Sequence, residues 1–119
     1  MKQEDKELLL KDLCARLPYG IKVNNEIQGD FKIYGICENF VFGRNEVCHI
    51  DFDIEKIKPY LFPLSSMTEE QKKEEYEICK EFIIGYESNL IDFYNKYHLD
   101  YRGLIPKDLA IDATGLNIY

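Results

Sequence analysis

Residues 4–17 place Leu9, Leu10, Leu13, Cys14 and Leu17 at helical spacing, with Lys6, Glu7, Lys11, Asp12 and Arg16 largely opposite. The pattern predicts an amphipathic helix, stopped by Pro18 and turned out through Tyr19-Gly20. The period then changes to two. Residues 21–27 alternate apart from Asn25 and predict a half-buried strand, with Gly29-Asp30 as the hairpin turn. Residues 31–42 predict the return strand, in which the alternation slips at Gly35 and predicts a bulge. Gly43-Arg44-Asn45 reads as a second turn. In residues 47–55 Cys48, Ile50, Phe52 and Ile54 face one way, and His49, Asp51, Asp53 and Glu55 the other. Three strands on short turns make an antiparallel meander with one face free for a helix.

The stretch KPYLFPLSSMTEEQ (residues 58–71) is the seam between this half and a helical half. Pro59 and Pro63 lack backbone donors, so neither a ladder nor a helix is expected to run through it. Tyr60, Leu61 and Phe62 are too apolar for a solvated linker and place the seam across a core. Thr68-Glu69-Glu70-Gln71 has the form of a capping box, with Thr68 as cap and acids in the first turn. The helix that follows, to about residue 84, carries Tyr76, Ile78, Cys79, Phe82 and Ile83 on one arc, and Gly85 ends or kinks it. Its first part, residues 69–75, has no apolar side chain. Those turns are expected to project into solvent, supported by pairs such as Glu69 with Lys73, and Glu75→Ala is expected to be silent. Leu90, Phe93, Tyr94 and Tyr97 predict a further short helix, for which Asp92 is an alternative cap. The tail, residues 99–119, reads as extended turns with a short pairing at residues 109–111. The fold class is α+β in one domain, 1–119: an N-terminal helix, a three-stranded antiparallel meander, two C-terminal helices and an extended tail.

A length of 119 residues suits one modest core. The net charge of −7 argues against a basic face for nucleic acid or an anionic membrane. Acids stand in MKQEDKELLL where a secretory signal needs basic residues, and no apolar run is long enough to span a bilayer. A cytoplasmic, non-membrane protein is expected. Cys14, Cys37, Cys48 and Cys79 have no paired short spacing, which predicts reduced thiols buried as small hydrophobes, with no zinc.

Three constellations could carry chemistry. Asp51, Asp53 and Glu55, with His49 before them, could hold a hard cation for a metal-dependent hydrolase or nuclease. Alternate acids also blunt an exposed strand, and that is the preferred reading. His98 and Asp100, near Arg102, could form a general base and its orienting partner, or tie down a helix end and the loop after it; the structural role is preferred. The helix over residues 69–81, with six Glu against three Lys, is a solvated face or a recognition surface for a basic protein patch. Glu70, Glu74 and Glu77 are its candidate contact residues, and their joint replacement by Lys is expected to spare the fold because they lie off the apolar arc. No nucleophile elbow or phosphate-binding glycine loop is present, and no cofactor is expected.

ELLLKDLCARLPYG (residues 7–20), KPYLFPLSSMTEEQ (58–71) and DFYNKYHLDYRGLIPK (92–107) resemble a family of small uncharacterised proteins in phages and prophages of gut Bacteroidetes. The resemblance covers a little over a third of the chain and carries no activity, cofactor or site residue. It implies a mobile-element protein working inside a bacterial host. Together with the acidic balance, it favours a non-enzymatic accessory protein acting through protein contacts. Direct nucleic-acid binding is not expected, and homo-oligomerisation stays open.

Overall fold

The computed structural model describes residues 1–80 and 86–119. Its α+β architecture comprises α1 (Gln3–Arg16), β1 (Lys22–Asn25), β2 (Gly29–Cys37), β3 (Phe40–Arg44), β4 (His49–Asp53), β5 (Lys58–Leu61), α2 (Glu69–Lys80), α3 (Tyr86–Lys96) and β6 (Ile111–Asp112). The strands form one sheet in the order β4-β3-β2-β1-β5-β6, antiparallel except for the β5–β6 pairing. The expected meander is present with four strands rather than three, and β5 and β6 extend it.

Each departure from the expected strands has a local cause. The first turn falls at residues 26–28, one step before Gly29-Asp30, because the Asn25 carboxamide oxygen accepts from the amides of Ile27 and Gln28 at 3.0 and 2.9 Å. Residues 31–42 form two strands, since Glu38 adopts a left-handed backbone (φ 54°) and closes a two-residue turn between Cys37 and Phe40. Gly43-Arg44 belongs to β3, and the turn there is built on Asn45, whose side chain accepts from Val47 and Cys48. Gly43 is needed for a different reason: a Cβ there would come within 3.0 Å of the Phe31 Cβ on the neighbouring strand. The bulge predicted at Gly35 is present as a register shift between Ile33 and Gly35.

The seam does carry a ladder. Lys58 and Pro59 pair with Asn24 and Val23 of β1, and β6 joins only from Tyr60 onward. Pro59 therefore precedes the β6 rungs and removes none of them. The extended backbone that proline imposes on Lys58 suits the strand. Leu61 is fully buried and Tyr60 nearly so, which puts the seam across the core as expected.

One face of the sheet carries that core. Val23, Phe31, Ile33, Val41 and Phe52 pack with Leu9 and Leu13 of α1 and with Leu104, Leu109 and Ala110 of the C-terminal segment. Cys14 lies outside it and is exposed, as are Cys37 and Cys48, while Cys79 is half-buried; all four are free thiols. α1 is also more buried on its polar side than its periodicity predicts, since Asp12 and Arg16 are both completely buried.

The capping box at Thr68 is formed: its hydroxyl accepts from the Gln71 amide at 3.1 Å, and the Gln71 side chain accepts from the Thr68 amide at 3.0 Å. Phe82, Ile83 and Gly85 lie outside the described residues. Asp92 stands within α3 rather than capping it. No helix among the described residues is long and apolar enough to cross a membrane.

Candidate functional site

The three sequence stretches 7–20, 58–71 and 92–107 meet at one buried polar junction. Arg16 donates from Nε to Asp12 at 2.8 Å and from Nη2 to the Leu99 carbonyl at 2.6 Å. Arg102 reaches the other Asp12 oxygen at 3.4 Å, and both guanidiniums lie against the Tyr101 ring. Phe62 donates to the His98 carbonyl and accepts from the Asp100 amide, each at 2.8 Å. Burial pushes the Asp12 carboxyl up against the downward pull of Arg16.

His98 and Asp100 do not form a base and its orienting partner. The Asp100 carboxylate accepts from the amides of Leu104 and Ile105 at 2.8 and 2.9 Å, tying down the loop that follows. His98 has a left-handed backbone (φ 57°), and its ring stacks on Tyr119 with centroids 3.8 Å apart. Its pKa is lowered to about 4, first by burial and then by the nearby charges of Arg16 and Lys22. The Tyr119 hydroxyl donates to the Tyr60 carbonyl at 2.9 Å and accepts from the Lys22 amide at 3.0 Å. This arrangement fastens the chain's last turn to the sheet and makes the His98 region a structural joint.

The carboxylates of the β4 segment are separately engaged. Asp53 accepts from the Glu55 amide and caps a 3₁₀ turn at Ile54–Lys56. Glu55 leaves the strand's alternation and pairs with Lys6 of α1 at 3.0 Å, which holds its pKa below the usual carboxylate range. Asp51 remains exposed on the strand, and His49 packs edge-on to Tyr34. Among the described residues, no group of three or more His, Cys, Asp or Glu side chains is placed to hold a metal ion.

The acidic helix is anchored rather than free. Glu74 and Glu75 accept from the hydroxyls of Tyr97 and Tyr94 at 2.8 and 2.7 Å, so part of the stretch expected to project into solvent is tied to α3 and the residue after it by carboxylate–phenol bonds. Burial, and then the bond to Glu75, push the Tyr94 pKa up. Tyr76, assigned to the apolar arc, is exposed. Glu69 pairs with Lys72 at 3.4 Å rather than with Lys73, and Glu77 pairs with Lys80 at 2.7 Å. Of the three candidate contact residues, Glu70 and Glu77 are exposed, whereas Glu74 belongs to the helix-to-helix joint. Reversing Glu74 therefore disturbs packing, as truncating Glu75 does.

The other face of the sheet carries a feature that net charge conceals. Strand register sets Lys22 opposite Lys32, Lys32 opposite Arg44, and Arg44 opposite His49, all on the face away from the core. Tyr34 and Phe40 are about half exposed on that face, at 48% and 45%, with Phe42 half-buried between strands. The Arg44 guanidinium lies 5.8 Å from the Tyr34 ring centroid. The outward alternation of Lys32 and Tyr34, and of Phe40, Phe42 and Arg44, was visible in the sequence. Their alignment was not, because it depends on the unforeseen turn at Glu38.

The chain matches no protein-family model, no curated protein and no solved structure.

Proposed function

We propose that this chain is a non-enzymatic accessory protein that acts by binding a protein partner with a basic patch through the outer face of α2. The observation supporting this reading is the anchoring of α2. Tyr94 and Tyr97 fix Glu75 and Glu74 on the inner side, and Glu69, Glu70 and Glu77 are thereby held outward on a positioned helix. A preorganised acidic surface loses less side-chain and backbone freedom on binding than a frayed one. A phage or prophage setting remains part of the proposal. It rests on the three resembling stretches, whose residues in this chain build the polar junction rather than a reactive site.

The test is affinity capture from a bacterial extract with the wild type and with the Glu70→Lys/Glu77→Lys variant, which leaves Glu74 and its tyrosine bond alone. The variant should keep the wild-type melting temperature and lose the partner. Raised salt should slow association, because exposed charges are screened within about 8–10 Å at ordinary ionic strength. Recovery of the same partner in the same yield by the variant would refute the acidic contact.

A further inference from the structure

The open face of the sheet holds an arrangement that folding alone does not explain. Like charges set directly opposite one another across strands destabilise a sheet. Here Lys22, Lys32 and Arg44 stand in one row in a chain whose net charge is −7. Among the described residues none of the three has an acidic ion-pair partner; the Lys22 ammonium donates to the Ile118 carbonyl at 2.8 Å and lies 5.9 Å from the Tyr119 ring centroid. The row borders a groove of about 350 Å³, closed on one side by Asn117 and Ile118. Two acids also line it. Asp30 accepts on one oxygen, Oδ1, from the Tyr60 hydroxyl at 2.6 Å and from the Asn24 side-chain amide at 2.9 Å and is itself exposed, and Glu46 lies in the exposed turn. Across Arg44 the groove adjoins a shallower hollow of about 160 Å³ lined by Tyr34, Phe42, His49, Ile50 and Asp51.

We infer that this face binds a nucleoside monophosphate, with the phosphate on Lys32, Arg44 and Lys22 and the base on the Tyr34–Phe42 shelf. Arg and Lys supply charge-assisted donors to phosphate oxygens, the guanidinium with a planar fork. Arg44 sits over Tyr34 and so joins the anionic subsite to the aromatic one. Asp51 at the edge of the hollow offers an acceptor for base N–H groups and would repel an acidic peptide. A single phosphate matches the row better than a polynucleotide, whose successive phosphates would have to pass Glu46, Asp51 and Asp53 in an acidic protein.

The experiment is calorimetric titration of the full chain with adenosine 5′-monophosphate, inorganic phosphate, adenosine and oligothymidylate, with amide shifts mapped by NMR. The nucleotide should bind saturably and at least about tenfold more tightly than phosphate or adenosine alone, shifting the amides of Lys32, Tyr34 and Arg44. Lys32→Glu and Tyr34→Ala should each weaken it by about tenfold or more. Lys32→Glu should also melt no lower than the wild type, since it replaces two cross-strand repulsions with attractions, so its loss of binding would not reflect unfolding. Phosphate binding as tightly as the nucleotide, an adventitious ion only, would overturn the proposal. So would the absence of shifts on β2 and β3 at millimolar nucleotide. Oligothymidylate binding more tightly than the nucleotide would instead assign the face to single-stranded nucleic acid.

Discussion

Asp12 and Arg16 form the joint on which the N-terminal helix is fixed to the rest of the chain. Both are fully buried, and removing one partner leaves the other charged and unpaired away from water. Asp12→Ala should therefore lower stability by about 3–5 kcal/mol in denaturant titration, whereas Lys6→Ala, which breaks a solvent-screened pair with Glu55, should change it by less than about 1 kcal/mol. His98 gives the fold a pH dependence with a definite sign. The unfolded imidazole takes up a proton near pH 6.5, but the folded one does so only near pH 4, so the unfolded state binds more protons between those values. Stability should fall as pH drops through that window, by on the order of 3 kcal/mol in all. His98→Asn tolerates the left-handed backbone and should flatten that part of the profile. In sequence these residues looked ordinary: Asp12 and Arg16 lie on the polar side of a helical period. Their burial comes from residues 99–102, more than eighty positions away, which periodicity cannot register.

The elements divide by how local their causes are. α1, the bulge at Gly35 and the Thr68–Gln71 cap were legible because each depends on residues within one or two turns of chain. Three others were not. The turn at Glu38 needs a non-glycine residue at positive φ, β5 runs through a proline, and α2 docks by acids on tyrosines. The last of these makes a direct prediction. Tyr94→Phe/Tyr97→Phe removes two bonds to carboxylates, which should cost about 1–3 kcal/mol and speed amide exchange in α2 more than in β1 or β2. Equal acceleration in all three would mean that the tyrosine bonds do not set the position of α2. Gly43→Ala should destabilise by about 1–3 kcal/mol, read from the melt, because its methyl would meet the Phe31 Cβ across the strand pair.

At the scale of the whole molecule, one core joins the helix, the sheet and the C-terminal segment. Leu13→Ala and Phe52→Ala should each cost about 2–5 kcal/mol, and an unchanged midpoint for either would detach its element from that core. The net charge of −7 conceals local order: Glu69, Glu70 and Glu77 are held outward on α2, and Lys22, Lys32 and Arg44 form one row across the open sheet face, with Asp30, Asp51 and Asp53 elsewhere on that face. The α+β class was legible from alternating and helical periods. The cationic row emerges only after register aligns three strands. An acidic helix face and a separate cationic row on the sheet are the central claim, and amide-resolved NMR titration tests it most directly. Short oligolysine should shift the amides of residues 69–77 and leave β2 and β3 unmoved, while adenosine 5′-monophosphate should do the reverse. Overlapping shifts from both ligands, or oligolysine shifts spread evenly over the protein's acids, would contradict it.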